Sequence, residues 1–328
     1  MRAWQLRAIG DPWDELVAVD VAAPEPGPGE VRVAVEAADL NFADVLQCQG
    51  VYQVRAPVPF VPGMSGAGRI VACGPGVELD IGQRVVGSTS VGHGAFATEA
   101  LLPAEACTPI PDGVDGVVAA GMHVTHGTAW FALHRRGRLQ PGETVLVLAA
   151  AGGVGSAAVQ LAKATGCWVL AAAGGRDKAE ACRAIGADEV IDYDGEDLHA
   201  RVMDLTSGRG VDVVYDPVGG DDFDVARRLL AWEGRLLVVG FASGRIPEVP
   251  ANHVLVKNYS VVGVHMGGYR AVDPSPFADC YRELHQLLAD GAIEPWIADT
   301  IDFDRLPAAL RDLAERRTTG RLVMVPGE

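Results

Sequence analysis

The stretch from Thr144 to Gly166, TVLVLAAAGGVGSAAVQLAKATG, constrains the fold more than any other part of the chain. Small apolar and β-branched residues run into Ala149-Ala150-Ala151-Gly152-Gly153-Val154-Gly155, and a helical pattern follows that closes at Gly166. Glycines in such a strand-turn-helix unit remove the Cβ atoms that would hold a ligand away from the backbone N–H groups at the helix N-terminus. The turn can therefore approach a pyrophosphate. The spacing Ala149-x-x-Gly152-x-x-Gly155 is a dinucleotide fingerprint with alanine at its first glycine, and a second strand, Trp168 to Ala172, falls where that fingerprint needs it. Two other readings exist. One is a small-residue turn in a buried βα unit; the other is a membrane span from Val145 to Ala162, which the length allows and the Gly-Gly pair, Ser156 and Gln160 oppose.

Either side of this stretch the pattern changes. From Met1 to about Met122 short β segments alternate with Gly and Pro, as in Pro24-Glu25-Pro26-Gly27-Pro28-Gly29, which predicts a loop-rich all-β module. From His123 to Ser260 strands and helices alternate, which predicts a doubly wound parallel sheet. Within it Asp177 is expected to cap a helix with Glu180 three residues on. The remainder is mixed: a strand over Tyr259 to Val264, helices near Pro276 to Leu288 and Leu306 to Arg316, and a last strand from Arg321 to Val325. A chain of 328 residues has room for two cores. Its net charge of −16 argues against nucleic acid and anionic membrane surfaces as partners. Cys48, Cys73, Cys107, Cys167, Cys182 and Cys280 form no C-x-x-C pair, so free thiols are expected rather than a disulfide framework. The N-terminus lacks the apolar core of a signal peptide, and a cytoplasmic protein is expected.

The end of the second strand bears on the choice of nucleotide. An acid at the strand tip would hydrogen-bond the 2′-hydroxyl of NAD. Here Gly174 and Gly175 stand at the tip, leaving room for a 2′-phosphate, and Arg176 and Lys178 offer charge-assisted bonds to it, so NADPH is favoured. Asp177 as the ribose acid, with the two bases solvated, is the competing reading. Tyr193, after the third strand, adds a hydroxyl to the phosphate site or is a packing residue.

Leu40-Asn41-Phe42-Ala43-Asp44, Gly50-Val51-Tyr52, Pro62-Gly63-x-x-Gly66-Ala67-Gly68, the Ala-Ala-Gly-Gly-Val-Gly turn, Val214-Tyr215-Asp216-Pro217-Val218-Gly219, Gly234-Arg235-Leu236 and Val256-Lys257-Asn258 occur in order along almost the whole chain. Together they resemble the zinc-independent, ζ-crystallin-like quinone oxidoreductases of the medium-chain dehydrogenase/reductase superfamily. The resemblance implies an α/β protein in which a Rossmann domain, residues 123–260, is inserted into a GroES-like β-barrel catalytic domain, residues 1–122 plus 261–328, with a cleft between the two. It implies NADPH as hydride donor. Asn41, Phe42, Asp44 and Tyr52 would line the nicotinamide and substrate pocket, with Asn41 orienting groups and Tyr52 a candidate proton donor. Thr128 would lie near the nicotinamide. Gly152, Gly153, Val154 and Gly155 would hold the pyrophosphate; Gly174, Arg176, Lys178 and Tyr193 would hold the 2′-phosphate. Gly240, Phe241 and Ala242, with Val264, His265 and Met266, would border the nicotinamide ribose and ring. Arg321 is implied either to reach the cofactor or to be a surface cation.

Zinc-dependent members of the superfamily carry a Cys near Asn41 and Gly-His-Glu where this chain has Gly63-Met64-Ser65, so no metal site is expected. In the zinc-free branch the position of Ser65 is commonly acidic. The apolar run Val254-Leu255-Val256 and the segment Tyr259 to Val264 would form an edge strand, through which the resemblance implies a homodimer. The expected activity is hydride transfer from NADPH to a quinone. Two alternatives are reduction of an α,β-unsaturated carbonyl, such as a 2-enone or enoyl thioester, and an NADPH-binding structural or sensing role with negligible turnover.

Overall fold

The structure is a computed structural model that describes residues 1–327. It divides into two compact units, one comprising residues up to Val124 together with those from Ile297, the other Thr125–Trp296.

The first unit begins with β1 (Arg2–Leu6) and β2 (Leu16–Asp20), an antiparallel ribbon. The ten-residue β3 (Glu30–Asp39) alternates valines inward, Val31 and Val33 being buried, because successive side chains of a strand point to opposite faces. It pairs antiparallel with β4 (Ser65–Cys73), which pairs with β5 (Arg84–Ser88). β6 (Glu99–Pro103) joins the first half of β3, and β7 (Cys107–Pro109) joins β5.

The second unit holds β8 (Thr144–Val147), β9 (Trp168–Ala173), β10 (Glu189–Asp192), β11 (Val211–Asp216), β12 (Leu230–Val238) and β13 (Ser260–Gly263). All neighbours are parallel, in the order β10-β9-β8-β11-β12-β13, which is the doubly wound arrangement. β8 is buried along its whole length, as expected of a strand covered on both faces. Leu146, Leu170, Ile191, Val202, Val214, Phe223 and Leu236 belong to its core. Burying side chains of this size contributes about 1.5–3 kcal/mol each before the entropy of ordering is subtracted.

The chain re-enters the first unit with β14 (Ile297–Asp302) and β15 (Arg321–Val325); β15 pairs with the end of β3 at Met324↔Ala38 and Val323↔Asp39. Between them the helix Leu306–Ala314 buries Leu306, Ala309 and Leu310, one face at helical spacing, into the core that holds Leu6, Val33, Ile70 and Phe96. Both ends of the chain thus build one core.

Four local expectations are corrected. The chain leaves the second unit at Trp296, not near residue 260, because β13 completes the parallel sheet and the helix Pro276–Ala289 packs there, with Phe277 against Phe131 and Glu283 accepting from Trp130 Nε1. The helix Arg176–Ala184 starts from Gly175, so Asp177 lies in its first turn, and Glu180 pairs with Arg176 instead of closing a capping box. Val254, Leu255 and Val256 lie in the helix Ala251–Lys257, not on the edge strand. The segment Phe223 to Leu230 reads as helix from its sequence, but the helix there, Gly220–Ala226, ends earlier and β12 already begins at Leu230. Among the described residues no helix is long and apolar enough to cross a membrane.

Candidate functional site

In the second unit the residues singled out for the nucleotide follow the C-terminal ends of parallel strands, where ligands of open α/β sheets bind. The order of the sheet reverses between β8 and β11. The turn after β8 is tight: Ala149 adopts φ 48°, and its carbonyl accepts from Gly152 N–H at 2.9 Å. Gly152 caps the helix Gly153–Ala164 with no side-chain cap, and the first turn holds no acid. Backbone N–H groups there are left for an anion. A Cβ on Gly155 would lie 2.2 Å from Ala149 O and 2.8 Å from Ala150 Cα, so only glycine lets the helix pack this close to the turn. A Cβ on Gly152 would meet only Ala149 O, at 3.3 Å. The cradle fits a dinucleotide pyrophosphate.

After β9, Gly175 N–H donates to Asp192 Oδ1 at 2.7 Å. Tyr193 lies directly on Gly174, whose Cβ would fall 2.7 Å from its ring. Gly174, Gly175 and Tyr193 therefore form one surface, and Arg176, exposed and paired with Glu180 at 3.0 Å, borders it with Lys178 in the first turn of its helix. Asp177 is exposed in the same turn. Elsewhere in this unit Thr128 Oγ1 lies 3.9 Å from Met266 Sδ. Val264 is half-buried and His265 exposed after β13.

The sequence reading gave no role to Asp216, which ends β11. Its Oδ1 accepts from Val218 and Gly219 N–H at 2.8 and 2.9 Å, and its carbonyl accepts from Val239 N–H. Asp216 thus ties the loop after β11 to Val239, the residue that follows β12, and Ala242 N–H donates to Pro217 O in the same loop. Its Oδ2 is buried with no hydrogen-bond partner among the described residues, and burial holds the carboxyl above its usual range. The Asp-Pro pair was the available signal, since Asp side chains bond backbone groups two and three residues on.

The first unit contributes a buried polar cluster. Asn41 N-caps the helix Phe42–Cys48 in a capping box with Asp44, and Phe42 is half-buried at its first position. Asp44 is fully buried: Oδ2 accepts from Asn41 N–H and Oδ1 from Met64 N–H, both at 2.8 Å. It presents no surface to a cofactor, so the expectation that it lines the pocket is replaced by a supporting role. Burial, and next the Asp39 charge, push its carboxyl up to about 7. Tyr52 is half-buried, and burial together with Asp44 raises its phenol above the ordinary value, keeping it protonated at neutral pH. Arg321 is neither on the surface nor free to turn to a cofactor: its Nη2 donates to Asp39 Oδ2 at 2.5 Å and to Asn41 Oδ1 at 3.0 Å, and the residue is 6% exposed. Ser65 Oγ donates to the other oxygen of Asp39. Asp39 and Ser65 were missed as site residues; the acid that closes the small apolar run Ala37-Ala38 at the end of β3 was the signal.

The alcohol dehydrogenase GroES-like domain matches residues 27–112 and the zinc-binding dehydrogenase family matches residues 153–289, the two modules of the medium-chain dehydrogenases. Among the described residues no group of three or more His, Cys, Asp or Glu is placed to hold a metal ion. The quinone oxidoreductase-like protein 2 homolog of Nematostella vectensis is 37% identical over 326 residues, covering 98% of this chain and 88% of its own. The quinone oxidoreductase of Pseudomonas syringae pv. Tomato DC3000 superposes with a TM-score of 0.91 at 32% identity, covering 99% of each chain. That of Escherichia coli, complexed with NADPH, gives 0.92 at 28%, covering 99% of this chain and 100% of its own. The chain belongs to the quinone oxidoreductase-like family of the medium-chain dehydrogenase/reductase superfamily.

Proposed function

We propose that the protein transfers hydride from NADPH to a quinone without a catalytic metal. The observation that carries this is the pairing of an uncapped glycine cradle with a second-strand tip that has Gly174, Gly175, Arg176 and Lys178 where an NAD site would carry an acid. NADPH, once bound, supplies the hydride from C4 of its ring, and the quinone takes up that hydride and a proton to become the hydroquinone. Gly152, Gly153, Val154 and Gly155 hold the pyrophosphate. Arg176 and Lys178, with Tyr193, hold the 2′-phosphate. Asn41 orients a polar group at the reacting centre, and Tyr52, kept protonated, donates to the developing oxyanion.

The protein acts as a homodimer through β13. That strand is one of the two edges of its sheet, and Leu255 and Val256 beside it in the chain are 79% and 74% exposed. Among the described residues none of the six cysteines is in a disulfide, in keeping with a reducing cytoplasm. The function is tested by NADPH oxidation with paired acceptors, an ortho-quinone and an enoyl thioester. Turnover with the quinone is expected; turnover confined to the thioester would move the assignment to activated alkenes, and binding without oxidation would make the protein a sensor.

A further inference from the structure

We propose that the buried ion pair of Asp39 and Arg321 is a positioning device that fixes the side-chain amide of Asn41 in one of its two orientations for hydride transfer. The proposal rests on the reading of Asn41 as a site group. Three chain segments meet in it. Asp39 ends β3, Arg321 opens β15, and Asn41 lies two residues beyond Asp39 at the helix cap.

A primary amide has an acceptor end and a donor end of nearly the same shape, so shape packing alone does not choose between them. Here the chemistry does. Arginine can only donate, and its Nη2 contacts Asn41 Oδ1 at 3.0 Å. An ionised carboxylate can only accept, and Asp39 Oδ2 takes Asn41 Nδ2 at 3.0 Å. Turning the amide over would set N–H against the guanidinium and oxygen against the carboxylate. Asp39 is 0% exposed and Arg321 is 6% exposed, so water is not at hand to relieve that mismatch. Arg321 also bonds Asp39 directly at 2.5 Å, closing a triangle of three side chains, and Ser65 Oγ occupies the remaining side of Asp39.

The Asn41 main chain is held independently, its N–H donating to Asp44 Oδ2 at 2.8 Å. Backbone and side chain are thus fixed by two different carboxylates. The second N–H of the amide has only a 3.5 Å approach to Asp39 O, which leaves it as the group able to turn to a ligand oxygen. A buried ion pair is a poor means of gaining stability, because well-packed apolar residues of like volume often do as well. Its use here is to define which way the Asn41 amide faces.

The test is a double-mutant cycle of Arg321→Lys and Asn41→Ala, followed by kcat and KM for quinone and by melting temperature. Arg321→Lys keeps the charge but loses the planar fork, and is expected to lower kcat by roughly 10- to 100-fold. In the Asn41→Ala background the same change is expected to lower kcat by less than about twofold, because there is no amide left to orient. Equal losses of kcat in both backgrounds, tracking the melting temperature, would mean a merely structural pair and overturn the proposal. Should Arg321→Lys not fold, Ser65→Ala, which frees one oxygen of Asp39, takes its place with a smaller loss and the same non-additivity. Unchanged kcat and KM in Asn41→Ala alone would remove Asn41 from the site and the proposal with it, an outcome distinct from additivity.

Discussion

Gly152 and Gly155 sit three residues apart in one turn, yet they should fail in different ways when given a methyl group. At Gly155 the added Cβ would stand 2.2 Å from a backbone oxygen, about 1 Å inside ordinary contact, and 2.8 Å from a backbone Cα on the same side. Neither atom can swing away, so the helix itself must retreat. Overpacking of this kind costs about 1–3 kcal/mol, with the upper end expected where only backbone can yield. In a unit of the size of Thr125–Trp296, 3 kcal/mol corresponds to a fall in melting temperature of roughly 6–12 °C. Retreat of the helix also withdraws its N–H groups from the pyrophosphate. Each charge-assisted bond lost there is worth about 1.5–3 kcal/mol, so the Kd for NADPH should rise roughly 10- to 100-fold. At Gly152 the backbone has φ −84° and ψ 173°, which alanine adopts freely, and the nearest protein atom is 3.3 Å away. Gly152→Ala should therefore melt like the parent while losing NADPH affinity by a similar factor, because its methyl would stand in the open space of the turn proposed to receive the pyrophosphate. Thermal unfolding and a fluorescence titration with NADPH read the two effects. Unchanged affinity in Gly152→Ala would refute the assignment of the turn as the pyrophosphate cradle.

Three further outcomes are expected. Replacing Arg176 or Lys178 by Ala should lower kcat/KM for NADPH about tenfold each and leave NADH unchanged, as Arg176 is exposed and already shared with Glu180; a parallel loss with both nucleotides would contradict a 2′-phosphate site. Because the Asp44 carboxyl is raised from 3.8 to about 7 in the folded protein, the folded state holds its proton more tightly than the unfolded one. Its stabilising contribution is thus full below pH 3.8 and lost as pH rises toward 7, so the stability of the parent relative to Asp44→Asn should decline over that window by about 4 kcal/mol in chemical denaturation. A difference that rises with pH would contradict the burial of that carboxyl. Ala149→Gly should stabilise the protein by about 1 kcal/mol, since φ 48° strains a residue with a Cβ; a lower melting temperature would show that the turn is not strained.

The signals that were legible in the sequence are local ones. A glycine turn after β-branched residues and an apolar stripe at helical spacing located β8 and the helix Gly153–Ala164, and the glycines at the tip of β9 marked the turn on which Tyr193 packs. Contacts between distant segments carry no such signal. Asp39 and Arg321 are 282 residues apart, and nothing near either one announces that they meet. The resemblance places Asp44 among the pocket residues, but three residues after Asn41 a capping box satisfies it. Val254 to Val256 read as strand because all three are apolar and two are β-branched, while the helix there presents Leu255 and Val256 outward. The return of the chain to the first unit was placed too early because β13 and the helix Pro276–Ala289 continue the strand-helix alternation past the point where its rhythm becomes irregular.

The most direct test of the account is the rate of ortho-quinone reduction by purified, chelator-treated protein with NADPH and with NADH. Rapid oxidation of NADPH that survives chelation, with NADH at least tenfold slower in kcat/KM, is the result predicted from Gly174, Gly175, Arg176 and Lys178 at about 1.4 kcal/mol of preference. Loss of activity on chelation, restored by added zinc, or equal use of the two nucleotides, would contradict it.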